Sequence, residues 1–114
     1  MSMDRRLEPA PVSARLVGLN GALEGQHFEL RMDQYIGLRH CSDSEIAFPS
    51  TELRVSRRHA RISFEDGGFV VRDCSSMAGS SCNGVPIGSQ PHPLTDGDVL
   101  RTGDAEFRFD RIDP

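Results

Sequence analysis

His59-Ala60-Arg61-Ile62-Ser63-Phe64-Glu65-Asp66-Gly67-Gly68-Phe69-Val70-Val71-Arg72-Asp73 is the stretch from which the fold is read. Ala60, Ile62 and Phe64 alternate with Arg61, Ser63 and Glu65, a period of two that turns one face of a strand to a core and the other to solvent. Asp66-Gly67-Gly68 is a turn signal, and 69–73 returns as the partner strand of a long hairpin. Outward from this hairpin, short segments recur at intervals of about 8–12 residues between turn residues, the pattern of an all-β sandwich or barrel. Segments 13–19 and 27–30 flank Gly21 and Gly25 as a second hairpin; 34–38 and 45–48 follow, the latter closed by Pro49. Downstream, 85–87 and 92–94 are edge pieces, and Thr95-Asp96-Gly97-Asp98 and Gly103-Asp104 set off 99–101 and 105–110. Residues 74–84 are rich in Ser and Gly without apolar periodicity and are expected to form a surface loop. No segment reads as a long helix. Two packed antiparallel sheets house about ten such strands most economically.

With 114 residues the chain has room for one domain and one core. The opening MSMDRRLEPAPV is polar with two prolines, so 1–12 is expected to be a flexible arm and 13–114 the domain. The net charge of -4 argues against nucleic acid or an anionic membrane as partner. No window has the 18 or more apolar residues of a membrane helix, and the expected setting is the cytoplasm. All thirteen basic side chains are Arg. The absence of Lys excludes Schiff-base chemistry and the Gly-Lys-Ser/Thr phosphate loop, and the bias suggests a GC-rich bacterial genome.

Cys41, Cys74 and Cys82 contain no Cys-x-x-Cys pair, which speaks against a disulfide framework or zinc module. His40-Cys41 has no second pair at ligand spacing, and Asp96, Asp98 and Asp104 lack the spacing of a calcium loop, so they read as turn formers. Neither a metal nor a cofactor is expected. No Gly-x-Ser-x-Gly is present and no base is indicated for Cys82, so the chain reads as non-enzymatic.

Residues 55–62 read VSRRHARI, which resembles the central motif of the forkhead-associated (FHA) domain family. Tyr35-Ile36-Gly37 resembles its first glycine motif and Ser44-Glu45-Ile46 its Asp-Ile strand opening. Residues 73–84, DCSSMAGSSCNG, resemble its Ser-Thr-Asn-Gly loop and later Asn-Gly turn, and 94–107, LTDGDVLRTGDAEF, its Leu, Gly-Asp, Gly and Phe ending. The likeness runs in order over about 14–109. It implies a two-sheet antiparallel β-sandwich of about eleven short strands whose loops at one end hold a phosphothreonine peptide.

Carried across residue by residue, the resemblance gives Ser56 a hydrogen bond to the phosphate and sets Arg57 toward the same oxygens. It gives Arg54 contact with flanking peptide residues, lines the pocket with Gly79 and Ser80, and makes His59 a buried brace of the binding loops. Asn83 and Gly84 keep a structural turn. The sequence also departs from the family. The Gly-Arg whose Arg pairs with phosphate is here Gly37-Leu38-Arg39, so Arg39 is the candidate replacement, and the Thr and Asn of the binding loop are Met77 and Ala78.

The expected function is therefore a cytoplasmic FHA module that recruits a partner protein by phosphothreonine recognition through an altered pocket. The first threonine of the chain is Thr51, so the phosphorylated segment is expected from another region or another protein. A reading of a different class makes the domain a phosphate-independent FHA-like structural subunit, for example of a bacterial secretion apparatus. In that case Leu38, Met77 and Ala78 form an apolar assembly surface, with self-assembly as an option.

Overall fold

The computed structural model describes residues 8–38, 44–49, 52 and 54–112. Eleven strands run in chain order: β1 (Ser13–Gly18), β2 (His27–Glu29), β3 (Asp33–Leu38), β4 (Ser44–Phe48), β5 (Arg58–Glu65), β6 (Gly68–Asp73), β7 (Ser80–Cys82), β8 (Val85–Ile87), β9 (His92–Pro93), β10 (Val99–Thr102) and β11 (Ala105–Ile112). They form a six-stranded sheet, β2-β1-β11-β10-β7-β8, and a five-stranded sheet, β4-β3-β5-β6-β9. The all-β sandwich expected from the alternation is the architecture found.

Apolar side chains from the two inner faces make the core. Leu16, Leu100, Phe107 and Phe109 of one sheet meet Ile36, Phe48, Ile62, Phe69 and Val71 of the other, all nearly or fully buried. Phe48 on Phe107 and Phe69 on Phe109 are edge-to-face contacts with ring centroids 5.9 Å apart, and they tie the sheets together at two points. The hairpin read first is present in register, with Ile62 opposite Val71 and Phe64 opposite Phe69.

Three features differ from the expectation. Part of the expected loop 74–84 is the strand β7, paired with β10 through Cys82 opposite Leu100 and with β8 across Asn83-Gly84. Its alternation rests on Ser80 and Cys82, small residues that carry little hydrophobic signal, yet both are buried. Secondly, β3 and β4 pair in parallel rather than antiparallel. Alternation fixes which face of a strand is buried and not the direction in which the strand runs. Thirdly, the described part of the expected arm lies on the domain: Pro9 bridges Arg31, and the Glu8 carbonyl accepts from the Met32 amide at 3.0 Å. Ala10 packs against the core. Packed chain therefore begins before residue 13.

One irregularity prepares the site. Ile36 lies opposite Ala60 but Gly37 lies opposite Arg58, so His59 is an extra residue bulged out of the β3–β5 ladder. Strict alternation would send the His59 side chain outward with Arg61. The bulge lets His59 and Ala60 both be buried.

Candidate functional site

Three connections meet at one end of the sandwich: the stretch 54–57 before β5, the loop 74–79 between β6 and β7, and the turn between β10 and β11. His59 joins the first two from below. Its ring is fully buried, Nδ1 accepts from the Ser56 amide at 3.1 Å, and Nε2–H donates to the Gly79 carbonyl at 2.7 Å. The third connection bonds to the same carbonyl, since the Gly103 amide donates to Gly79 O at 3.1 Å. The Ser56 hydroxyl oxygen accepts from the Met77 amide at 3.2 Å, a second tie between the loops. Leu38, at the end of β3, is held by its amide donating to the Arg57 carbonyl at 3.1 Å.

Loop 74–79 is shaped from within by Asp73. One carboxylate oxygen accepts from the Ser76 hydroxyl at 2.5 Å and the Ser80 hydroxyl at 2.6 Å; the other accepts from the Ser76 amide at 2.9 Å. Ser76 Oγ in turn accepts from the Gly79 amide at 3.0 Å. Ser80 is thus buried with its hydroxyl turned to Asp73, where it fixes the shape of the loop. Burial alone would raise the Asp73 carboxyl's pKa, but these donors hold it below the ordinary carboxylate range. A depressed native pKa adds stability above the unfolded-state value, and that stability is lost as pH falls through the native value. Acidification below about pH 4 is therefore expected to loosen this loop. Asp73→Ala, which leaves two hydroxyls and an amide without their acceptor, is expected to cost about 2–3 kcal/mol at neutral pH. Thermal melts of the variant and the parent at pH 7 and at about pH 2.5 check both, the difference between them narrowing at the lower pH.

A cleft of about 740 Å³ lies between the loops. Among the described residues it is lined by Arg54, Val55, Ser56, Arg57 and Arg58 from the stretch leading into β5, by Leu38 at the end of β3, and by Met77 and Ala78 of the β6–β7 loop. Among the described residues the lining holds three arginines and no Asp or Glu, on a chain of net charge -4. Arg58 also stacks over Tyr35, its guanidinium carbon 5.2 Å from the ring centroid. A second groove, of about 310 Å³, adjoins the cleft through Arg54 and Ala78 and takes in Gly79, Ser80 and Arg101. Arg54 Nε pairs with Asp104 at 3.1 Å, and Arg101 reaches the same carboxylate at 3.4 Å.

Of the residues singled out from the sequence, Ser56, Arg57 and Arg54 therefore share one cleft, and Gly79 and Ser80 border the adjoining groove. Arg39 lies outside the described residues. Asn83 and Gly84, with φ of 52° and 83°, form the two-residue turn between β7 and β8. Asn83 Oδ1 accepts from the Val99 amide and its Nδ2 donates to Asp98, both at 2.9 Å, so the turn is anchored away from the cleft. Among the described residues no group of three or more His, Cys, Asp or Glu side chains could hold a metal ion. No helix among them is long and apolar enough to cross a membrane.

Sequence reasoning passed over Asp73, Gly103 and the cleft-lining role of Arg58. Asp73 had a legible signal, since an Asp three residues before a Ser in a small-residue loop is an Asx-type turn former. Gly103 matters through its close approach to the Arg54 carbonyl, which joins segments far apart in the chain and leaves no local trace.

The FHA domain family profile matches residues 35–103. The glycogen accumulation regulator GarA of Mycolicibacterium smegmatis is 36% identical over 97 residues, covering 85% of this chain and 57% of GarA. Two further curated relatives are matched over 22% and 15% of their lengths, so this chain spans only part of such proteins. Among solved structures, one described as an analysis of phosphothreonine-dependent FHA domain interactions superposes with a TM-score of 0.73 at 31% identity, covering 90% of this chain and 98% of that one. The structure of Mycobacterium tuberculosis EmbR in complex with a low-affinity phosphopeptide gives a TM-score of 0.72 at 30% identity, covering 87% of this chain and 24% of that one.

Proposed function

This chain belongs to the FHA domain family, and from that premise we propose that its cleft captures a phosphothreonine segment of a partner protein as a non-enzymatic, cytoplasmic recruitment step. The observation that carries the reading is the joining of the Ser56 and Gly79 loops through His59 beside a cleft whose lining, among the described residues, holds three arginines and no Asp or Glu. Ser56 Oγ accepts from Met77, and its own hydrogen is the one to donate to a phosphate oxygen. Arg57 supplies charge-assisted bonds to the same group, and Arg54 meets the flanking peptide. The phosphothreonine-dependent interactions and the phosphopeptide complex described for similar structures support this assignment.

Ser56→Ala removes one hydrogen bond to a charged group, worth about 1.5–3 kcal/mol, so affinity for a phosphothreonine peptide is expected to fall roughly 10- to 150-fold. An NMR titration of the labelled domain with a degenerate phosphothreonine pool and its unphosphorylated counterpart checks the reading. Shifts at Ser56, Arg57 and Arg54 confined to the phosphorylated pool are expected; equal response to both pools overturns it. One observation favours the assembly reading: Met77 is 99% exposed and lines the same cleft as Leu38 and Ala78. A concentration-dependent oligomer without phosphopeptide response, measured by sedimentation, is the result that reading requires.

A further inference from the structure

Asn20 stands directly before a short 3₁₀ turn, Gly21–Leu23, where an asparagine side chain ordinarily accepts from the first amides of a helix. It makes no such bond here. Both ends of its carboxamide reach instead to the β10–β11 turn, 84 and 86 residues away along the chain. Nδ2 donates to the Asp104 carbonyl at 3.1 Å, and Oδ1 accepts from the Glu106 amide at 2.9 Å. The Leu19 amide donates to the Glu106 carbonyl at 2.8 Å, so the β1–β2 connection grips the turn and the start of β11 together. This is the turn that supports the cleft from behind. Its Gly103 amide donates to Gly79 O, and its Asp104 carboxylate holds Arg54 Nε at 3.1 Å. Arg54 lines both the cleft and the adjoining groove, yet its side chain is 58% exposed, so the ion pair to Asp104 keeps a long side chain in one place. A guanidinium ordered before binding loses less freedom when a peptide meets it. The carboxylate can hold it there only if the turn that carries Asp104 is itself held.

We infer that Asn20 is a positioning residue of the peptide site: from the far side of the β10–β11 turn it sets where Asp104 holds the Arg54 guanidinium. This rests on the phosphothreonine reading above and adds to it a residue that lines neither the cleft nor the groove.

Asn83 supplies a matched control, because its carboxamide also donates to an aspartate and accepts from a backbone amide, at a turn anchored away from the cleft. The test titrates the tightest peptide of a degenerate phosphothreonine pool, and its unphosphorylated twin, by fluorescence anisotropy. Affinity is expected to fall about three- to tenfold in Asn20→Ala, within the range for coupled neighbours, and to change by less than about twofold in Asn83→Ala. On an Arg54→Ala background, Asn20→Ala is expected to cost nothing further. In the unliganded domain the Arg54 Nε–H resonance is expected to move in Asn20→Ala and to stay in place in Asn83→Ala. Asn20→Asp keeps the acceptor for Glu106 and loses the donor to Asp104, so it carries the same comparison should Asn20→Ala not fold. Phosphate-dependent binding that is unchanged or tighter in the Asn20 variant overturns the inference and leaves the phosphothreonine reading standing. An equal loss in the Asn83 variant, or a loss that persists without Arg54, does the same. An Arg54 resonance unmoved by the Asn20 change overturns the inference whatever the peptide does. Equal binding of the phosphorylated peptide and its twin overturns the phosphothreonine reading itself.

Discussion

Gly103→Ala is expected to lower the melting temperature by roughly 10–15 °C and to weaken the peptide site along with the fold. Gly103 sits in the β10–β11 turn with φ of +61°, a region that costs an L-residue about 1–2 kcal/mol. A Cβ built on it would lie 2.3 Å from the Arg54 carbonyl oxygen, a backbone atom that cannot rotate aside. Forcing the two segments apart adds about 1–3 kcal/mol, the usual range for overpacking. The displacement has consequences, because the Gly103 amide also holds Gly79 O and the next residue, Asp104, holds the Arg54 guanidinium. Gly97→Ala is the control: its φ of +88° is equally demanding, but a Cβ there meets nothing within 4 Å. Calorimetry of the two variants separates strain from contact. A Gly103→Ala melt no lower than that of Gly97→Ala would show that the turn does not press on Arg54.

The contrast between these glycines marks what could be read in the chain. Alternation at Ala60, Ile62 and Phe64 located β5 and the turn at Asp66-Gly67 supplied its partner, since both signals are local and repeat with the pleat. β7 escaped because Ser80 and Cys82 are buried for reasons of register and of the Asp73 carboxylate, which a hydrophobic pattern does not record. The parallel β3–β4 pair escaped because faces, not directions, are written in alternation. In the site, Ser56 and Arg57 were legible through their motif, while the closeness of Arg54 to Gly103, and of Met77 to Ser56, depends on how distant turns converge. The pocket departures at Leu38, Met77 and Ala78 were visible as residues. That these three positions line one cleft was visible only in the fold.

His59 is where the convergence is held, and His59→Ala is expected to have the largest effect of any single change in the site. The substitution empties a fully buried volume and removes two hydrogen bonds, leaving the Ser56 amide without the acceptor that now lies 3.1 Å away. The Gly79 carbonyl keeps its bond from Gly103, so its loss is partial. A cavity of this kind together with an unsatisfied amide costs about 4 kcal/mol, a large fraction of the roughly 5–15 kcal/mol that stabilises a domain. The melting temperature is expected to fall by roughly 15 °C. The damage should also be uneven. Hydrogen exchange at low temperature, where the variant stays folded, is expected to show the Ser56 amide exchanging fast while the Leu16 and Phe109 amides, in the paired strands β1 and β11, remain protected. Binding of a phosphothreonine peptide should fall further than in Ser56→Ala, because the whole 54–57 stretch loses its anchor. A variant that melts within a few degrees of the parent, with Ser56 still protected, would mean that the bulge at His59 is not what sets the spacing of the two loops.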